Sequence, residues 1–297
     1  MRVGLVGAGP WARATQAPSL QAHPDIEFAG VWARRPDAAA SMGAPVFESY
    51  DAMLEEVEAV AFAVPPEVQA GMAVTAADAG KHVLLDKPIA ATLEDASHLA
   101  DAVARADVRS MVTLTLRFAP QTRAFLDRAR AGDWSAGSGT WLSGSVLGGE
   151  YSNSPWRHRE GALFDIGPHM FDLLDLTLGP IVDVALCHRG ESADAWTVVL
   201  KHSNGAMSTS HLSLATPVRP SLFRVELSGT AGVLSLTDRP ASSTECFRVL
   251  LDEFLASAAA GVDHPCSVQR GLHLQEVLHA CRLHLDDELD LDCRAQR

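Results

Sequence analysis

A glycine-rich turn near the first residue constrains the fold of this chain more than any other feature of its sequence. The apolar run Val3–Val6, typical of a buried strand, leads into the turn Gly7–Ala12, which reads Gly-Ala-Gly-Pro-Trp-Ala, and a helical stretch follows. In such a turn the first glycine permits a tight bend, the second lets a pyrophosphate approach the backbone, and the small last residue lets helix and strand pack closely. The helix N-terminus adds amide donors and partial positive charge. A glycine turn alone could be purely structural, but this context predicts a dinucleotide-binding α/β domain.

The residues after the second predicted strand indicate which dinucleotide is preferred. Enzymes that prefer NAD usually place Asp or Glu about 20 residues after the turn, where it holds the ribose hydroxyls. Here the strand Glu27–Ala33 is followed by Arg34 and Arg35. Guanidinium groups suit a 2′-phosphate better than a diol, so we expect NADP(H) rather than NAD(H). The alternative is that the two arginines only cover a surface loop.

The rhythm of apolar runs divides the chain into two parts. Before Arg117, strand-like runs alternate with helical stretches, which predicts a parallel sheet wrapped by helices. After it, strand-like runs follow one another across Asn-Gly and Gly-Thr-Ala-Gly turns, which predicts an antiparallel sheet. The predicted strands are Val3–Val6, Glu27–Ala33, Ala59–Val64, His82–Asp86 and Arg109–Thr115, then Gly139–Leu147, Ile181–His188, Ala195–Lys201, Ala206–Leu214, Phe223–Ser228 and Val233–Leu236. The later predicted helices are Ala119–Ala131, Ala162–Leu178, Glu245–Ala260 and Ser267–Leu285, before an acidic tail at Asp286–Asp292.

Size and composition exclude several classes of protein. A chain of 297 residues exceeds the size at which one hydrophobic core stops growing, so two domains are expected. The formal net charge of −13 repels nucleic-acid phosphates and anionic lipid headgroups. No stretch approaches the roughly 18 apolar residues of a membrane span, and none resembles a signal peptide. The five cysteines form no Cys-x-x-Cys pair. We therefore expect a cytoplasmic protein with free thiols and no metal, which binds neither nucleic acid nor membrane.

A lysine stands where the predicted parallel sheet would bind a ligand. The strand His82–Asp86 runs into Lys87 and Pro88. Ligands of open α/β sheets bind at the carboxyl ends of the strands, so Lys87 is a candidate to reach the reactive end of a dinucleotide. Taken alone, the same residues would describe a surface lysine and a proline that stops a strand.

A second segment places three titratable side chains at helical spacing. In the predicted helix Ala162–Leu178, residues Asp165, His169 and Asp172 are separated by four and three positions, so they share one face. They could form a polar stripe at a binding site. A buried, hydrogen-bonded histidine with aspartates near the helix start is the structural alternative.

In this order, the motifs resemble those of the Gfo/Idh/MocA family of oxidoreductases. They are Gly-x-Gly-x-x-Ala, Asp-Lys-Pro, Gly-x-x-x-Asp-x-Gly-x-His-x-x-Asp, then Asn-Gly-Ala and Gly-Thr-Ala-Gly, and the resemblance covers nearly the whole chain. It implies an α/β fold with an N-terminal Rossmann domain, here 1–117, that binds NAD(P). It implies next a C-terminal α/β domain with a mainly antiparallel open sheet, here 118–297, for substrate binding and oligomerisation. Lys87, Asp165 and His169 match the family's lysine, aspartate and histidine, whereas Asp86 departs from its more usual glutamate.

The resemblance implies hydride transfer between a nicotinamide and a secondary alcohol or ketone of a sugar- or polyol-like substrate. A base must then take the hydroxyl proton, and we assign this role to His169. Lys87 would stabilise charge on the same oxygen, and Asp165 would orient the substrate or the imidazole. The residues expected at the cofactor are Gly7, Gly9, Pro10, Trp11, Ala12, Arg34, Arg35, Lys87 and Pro88. Those expected at the substrate are Arg117, Trp156, Arg157 and Asp172.

Two other functions stay open at this point. The chain could be a cofactor-binding regulator of the same fold that has lost catalysis, although the retained lysine and histidine argue against it. It could also be a lyase or glycosidase that uses a bound cofactor transiently, which would form product without a net change in nicotinamide absorbance. Fold alone does not choose among the substrates of such proteins. A homo-oligomer through the C-terminal sheet is the expected assembly.

Overall fold

The computed structural model describes residues 1–190, 194–237 and 241–295, with residues 286–295 described by their backbone alone. The strands are β1 (Arg2–Val6), β2 (Glu27–Trp32), β3 (Ala59–Phe62), β4 (His82–Leu85), β5 (Ser110–Val112), β6 (Trp134–Leu142), β7 (Ile181–Arg189), β8 (Trp196–His202), β9 (Met207–Ser213), β10 (Leu222–Gly229) and β11 (Gly232–Leu236). The helices are α1 (Ala17–Ala22), α2 (Pro36–Ala40), α3 (Tyr50–Glu56), α4 (Pro66–Asp78), α5 (Leu93–Arg105), α6 (Pro120–Arg130), α7 (Pro155–Asp165), α8 (Gly167–Leu178), α9 (Ser243–Ala260) and α10 (Val268–Ala295).

The described chain forms two compact units. The first contains Met1–Phe118 and Ala241–Gln275, and the second contains the described residues of Ala119–Pro240 and Glu276–Arg297. The chain therefore passes from one unit to the other three times. In the described part of the chain, no helix combines the length and the hydropathy needed to span a bilayer.

The sheet of the first unit is fully parallel and has the order β2-β1-β3-β4-β5. All four residues of β3 are buried, as expected for a central strand of a sheet covered by helices on both faces. The strand order reverses at β1, so the carboxyl ends of β1 and β3 flank the position where doubly wound sheets bind ligands. The predicted Rossmann domain is confirmed. Strand β1 starts one residue earlier than predicted, and the other four strands are one to four residues shorter than predicted.

One helix from late in the sequence completes this first unit. The rings of Phe247 in α9 and Trp11 make a T-shaped contact, with centroids 6.4 Å apart, and Phe254 is also fully buried. The sequence predicts that every residue after Arg117 belongs to the second domain. The structure instead places residues 241–275 in the first unit, because the apolar face of α9 is buried against the helical turns of that unit.

The sheet of the second unit has six strands in the order β11-β10-β6-β9-β8-β7. Only β6 and β9 run parallel, and every other neighbouring pair is antiparallel. The predicted mainly antiparallel sheet is therefore confirmed. Helix α8 packs against β6 and β9 on one face of this sheet. The buried residues of α8 form the core of the unit with the inward side chains of the strands.

The predicted helix Ala162–Leu178 is wrong in its start and its continuity. The helical segment begins at Pro155 and bends at Gly161, where φ is 69°. The first helix ends and the second begins at Ile166. Pro168 lies in the first turn of α8 and has no N–H to donate to the carbonyl four residues earlier, which explains the interruption. The apolar periodicity continues across both breaks, so it did not indicate them.

Two other boundaries also differ from the prediction. The strand expected at Gly139–Leu147 is β6, which starts and ends five residues earlier, because it pairs with β10 from Trp134 and with β9 from Ala136. The stretch Asp286–Asp292, expected as an acidic tail, has a helical backbone and belongs to α10.

Candidate active site

The glycine turn after β1 has the shape that a dinucleotide requires. Gly7 has φ of 113°, and a Cβ atom there would lie 2.3 Å from the carbonyl oxygen of Ala63, so only glycine fits. A Cβ atom on Gly9 would have no atom within 4 Å, which leaves open space above the turn. Ala12 is fully buried, consistent with close packing of the following helix on the sheet. The turn therefore fits a pyrophosphate on bare backbone.

Two side chains at the start of the following helix carry hydrogen-bond donors. Pro10 and Trp11 open a segment that continues as a π-helical turn, Ala12–Gln16, before α1. The indole Nε1 of Trp11 is buried and donates no hydrogen bond within the described residues. Arg13 is exposed, and its guanidinium donates a 2.6 Å hydrogen bond to the carbonyl of Ala8 in the turn. A buried donor without an acceptor is rare in proteins, so the Trp11 indole fits a ligand that brings an acceptor oxygen.

Arg34 and Arg35 stand two and three residues after the end of β2. Both are exposed. Neither forms an ion pair or a side-chain hydrogen bond within residues 1–190, 194–237 and 241–295, so their guanidinium groups are available to an anion. Since β2 is the neighbour of β1, its carboxyl end is where the ribose of a dinucleotide is held in this class of fold.

The Lys87 segment follows β4 and is held by its neighbour Asp86. The Oδ1 atom of Asp86 accepts a hydrogen bond from the Lys87 backbone N–H at 2.9 Å and another from the Thr113 hydroxyl at 2.7 Å. The Lys87 residue is half-buried and Pro88 is buried. Although Asp86 is one methylene shorter than the glutamate more usual in the family, its carboxylate has two donors and fixes the backbone of the lysine.

Asp165 ends α7 and is bound by an arginine from the start of the same helix. Arg157 Nε lies 2.7 Å from Asp165 Oδ2, and Arg157 Nη2 lies 3.3 Å from Oδ1. The Asp165 side chain is 8% exposed and that of Arg157 21%. The guanidinium also lies over the Tyr151 ring, 4.1 Å from its centroid. Arg157, expected at the substrate, therefore has a carboxylate partner within the chain, and its contact with substrate stays a prediction.

His169 lies in the first turn of α8, four residues after Asp165. Its side chain is buried, and its ring centroid lies 5.9 Å from that of Trp141 on β6. Asp172, one turn later, is also buried. The two helices meet at Ile166, whose backbone stays in the right-handed region, so the backbone hydrogen bond from Met170 N to the Ile166 carbonyl forms across the junction.

A residue that the sequence analysis did not identify fixes the bend before Asp165. Asp194 Oδ2 accepts hydrogen bonds from the backbone N–H groups of Ala162 at 2.9 Å and Leu214 at 3.3 Å, and Oδ1 accepts one from the Trp196 indole at 2.6 Å. Burial raises the pKa of Asp194, and these three donors act in the opposite direction. A Cβ atom on Gly161 would lie 2.2 Å from Asp194 Oδ1, so the carboxylate occupies the space at the bend. No local sequence pattern indicates this long-range contact.

The candidate residues divide between the two units. The first unit holds the cofactor candidates and also Lys87 and Arg117. The guanidinium of Arg117 donates to the carbonyl of Pro265 at 3.4 Å. The second unit holds Asp165, His169 and Asp172, together with Arg157 and the half-buried Trp156.

Both units contain residues that match a known protein family. Residues 1–114 match the family described as an oxidoreductase family with an NAD-binding Rossmann fold. Residues 121–235 match the family described as the GFO/IDH/MocA C-terminal domain. The two matches together cover more than half of the chain.

Curated relatives and solved structures show the same likeness. The chain is 33% identical over 192 residues to dTDP-3,4-didehydro-2,6-dideoxy-alpha-D-glucose 3-reductase of Streptomyces violaceoruber, a match that covers 60% of this chain and 55% of the reductase. It is 32% identical over 121 residues to glucose-6-phosphate 3-dehydrogenase of Bacillus subtilis, covering 39% and 34%. The matched stretches thus span about half or less of these curated relatives. The crystal structure of GenD2 from gentamicin A biosynthesis, in complex with NAD, has the same fold, with a TM-score of 0.86, 20% identity and coverage of 97% and 95%.

Proposed function

Because the chain belongs to the Gfo/Idh/MocA family of oxidoreductases, we propose that it transfers a hydride between a nicotinamide dinucleotide and a sugar- or polyol-like substrate. The observation that carries the proposal is the turn after β1, where Gly7 can carry no side chain and Gly9 leaves open space. The two curated relatives described above are named for a sugar 3-reductase and a sugar phosphate 3-dehydrogenase. These names support a secondary alcohol or ketone on a sugar ring as the reacting group.

The roles of the chain's own residues follow from the chemistry of a secondary alcohol. When bound, the nicotinamide supplies or accepts the hydride. In oxidation, His169 takes the proton of the substrate hydroxyl at one imidazole nitrogen, and in reduction it returns this proton to the ketone oxygen. The Lys87 ammonium donates a hydrogen bond to the same oxygen and stabilises its negative charge. Asp165, held by Arg157, orients the substrate.

The preferred cofactor in this proposal is NADP(H). Arg34 and Arg35 are exposed, and the Asp or Glu that would bind ribose hydroxyls is missing from the end of β2. A 2′-phosphate would receive charge-assisted hydrogen bonds, each of about 1.5–3 kcal/mol. We expect NADPH to raise the thermal midpoint more than NADH does, and Arg34→Ala with Arg35→Ala to weaken NADPH about 10- to 100-fold without weakening NADH.

The matched control for that experiment is Arg105→Ala, which removes another exposed arginine of the same unit. It should leave both cofactor affinities unchanged. Equal shifts by NADPH and NADH in the wild-type chain would contradict the proposed preference.

A carbohydrate panel, read at the nicotinamide absorbance band, tests the reaction. Net change in absorbance with a sugar or polyol supports the oxidoreductase. Cofactor binding without turnover of any member points to the regulator alternative. Product formation without a net absorbance change points to the lyase or glycosidase alternative.

We also propose a homo-oligomer through the face of the six-stranded sheet opposite α8. By strand register, Leu186, Met207 and Leu222 lie on this face, and they are 40%, 45% and 47% exposed. A sheet face with exposed apolar side chains is typical of an interface. Met207→Glu should lower the mass measured by light scattering, whereas Val262→Glu at an exposed site of the other unit should not. A monomeric wild-type chain would contradict this assembly.

The cytoplasmic location expected from the sequence stays a prediction.

A further inference from the structure

The segment that carries Lys87 is held by the side chain of Gln69 in α4. Gln69 is fully buried, and its amide faces the backbone where β4 ends. Its Oε1 accepts the backbone N–H of Asp86 at 2.8 Å. Its Nε2 donates to the carbonyl oxygens of Asp86 at 2.8 Å and Ile89 at 3.0 Å, with the carbonyl of Pro88 at 3.4 Å. One side chain thus contacts the backbone on both sides of the lysine.

These contacts replace the hydrogen bonds that a sheet partner would provide. Buried backbone groups need hydrogen-bond partners, and the chain leaves the sheet after Leu85. The Gln69 amide satisfies both the N–H and the C=O of Asp86, as a neighbouring strand would. The Asp86 carboxylate in turn accepts the Lys87 N–H and the Thr113 hydroxyl. The direction in which the lysine side chain leaves the backbone is therefore set by these contacts.

We propose that Gln69 is a positioning residue, which holds the backbone of residues 86–89 so that the Lys87 ammonium stays in place for the reaction. The inference rests on the proposed function, in which Lys87 stabilises charge on the substrate oxygen. Hydrogen-bond stabilisation of a reacting atom depends steeply on placement, and an error of about 1 Å can cost about 100-fold in rate.

The identity of the side chain matters because the amide oxygen accepts a hydrogen bond and the amide nitrogen donates. Glutamate has the same shape but no N–H, so Gln69→Glu places an acceptor against three carbonyl oxygens. Asparagine keeps both groups but is one methylene shorter, so Gln69→Asn is a milder change. Thr75→Val is the matched control, because Thr75 lies in the same helix and its hydroxyl donates to the Gly71 carbonyl within that helix.

The test is a double-variant cycle on kcat, using the full chain, saturating cofactor and a substrate found in the carbohydrate panel. We expect Gln69→Glu to lower kcat about 10- to 100-fold while KM and the cofactor Kd change less than about threefold. Added to Lys87→Met, the same change should lower kcat by less than about threefold more, because the group that Gln69 holds is absent. Thr75→Val should have no effect. If the kcat losses of Gln69→Glu and Lys87→Met multiply in full in the double variant, the inference is overturned, because Gln69 would then act independently of the lysine.

Hydrogen exchange gives a second readout that does not depend on turnover. In Gln69→Asn, we expect faster exchange of the peptide covering residues 86–89 than in wild type, with exchange along α4 unchanged. Unchanged exchange of that peptide in both Gln69 variants would overturn the inference. A wild-type chain that turns over no member of the panel would instead overturn the proposed function, and the positioning role with it.

Discussion

The guanidinium of Arg157 and the carboxylate of Asp165 form a two-point ion pair, with the Nε–Oδ2 distance at 2.7 Å and the Nη2–Oδ1 distance at 3.3 Å. The sequence predicts a substrate contact for the arginine and a catalytic role for the aspartate. Their contact links the position of each side chain to that of the other. Because a planar fork-to-fork pair is directional, the arginine also fixes the plane of the carboxylate.

Removing the arginine should leave a mostly buried carboxylate without its main partner. We expect Arg157→Ala to lower the free energy of unfolding by roughly 3 kcal/mol. In urea denaturation, the double variant with Asp165→Ala should be destabilised by less than the sum of the two single variants, by about 1 kcal/mol or more. Arg159→Ala, at an exposed neighbouring arginine, is the control. Additive losses would show that the pair is not coupled.

The proposed acid–base groups can be tested separately from the fold. We expect Lys87→Ala and His169→Ala each to lower kcat about 10²- to 10⁴-fold, because each removes a group that acts on the substrate oxygen. The thermal midpoint and cofactor binding of both variants should show that the protein still folds. Lys81→Ala, at another half-buried lysine, should keep full activity. Normal turnover in either active-site variant would remove that residue from the mechanism.

The two glycines of the turn should respond differently to one added methyl group. Gly7→Ala forces a side chain onto a backbone with φ of 113° and toward the Ala63 carbonyl, so we expect lower stability as well as lost cofactor binding. Gly9→Ala meets no atom of the protein, so the unfolding midpoint without cofactor should stay unchanged while cofactor affinity falls. Thermal midpoints measured with and without NADPH check both statements. Unaltered NADPH binding by Gly9→Ala would place the pyrophosphate elsewhere.

The stability of the second unit should depend on the charge of a buried histidine. Burial lowers the pKa of His202, whose Nδ1 lies 2.8 Å from the Gly179 carbonyl oxygen and whose Nε2 lies 2.8 Å from the Ser208 hydroxyl. The folded state therefore keeps this imidazole neutral at a pH where the unfolded chain has already bound a proton. As pH falls through the ordinary histidine pKa of about 6.5, the free energy of unfolding should fall.

Urea denaturation between neutral and mildly acidic pH measures this effect. His202→Gln removes the titrating group, so its stability should fall less steeply with decreasing pH than that of wild type. His211→Gln removes an exposed imidazole from the same sheet and serves as the control. Parallel pH dependences for wild type and His202→Gln would contradict the assignment.

The sequence predicts well those features that short segments determine by themselves. The strands of the first unit consist mainly of apolar residues, and the turn Gly7–Ala12 has its own backbone requirement, so both could be predicted. The position of Lys87 at a strand end follows from the strand prediction. Local patterns do not predict the helix break at Ile166, because the apolar periodicity of one helix continues into the next and only Pro168 marks the break.

Contacts between distant segments could not be predicted from the sequence. Gln69 lies 17 residues before the Asp86 backbone that it holds, and Asp194 lies 32 residues after Ala162. Neither residue belongs to a short motif, and a glutamine in a helix or an aspartate just before a strand has many structural uses. Similarly, nothing in the sequence of α9 distinguishes the first unit from the second as its packing partner. These positions depend on the tertiary fold.

Because residues 241–275 belong to the first unit, they limit where this protein can be truncated or recombined with a relative. A gene fragment that stops after Phe118 would encode all five parallel strands but would leave the surface that receives α9 exposed to water. Such a fragment should aggregate when expressed alone. A chimera that keeps this first unit and takes its second unit from another protein must therefore exchange two segments, 119–240 and 276–297, and keep α9 between them, instead of joining two parts at one point.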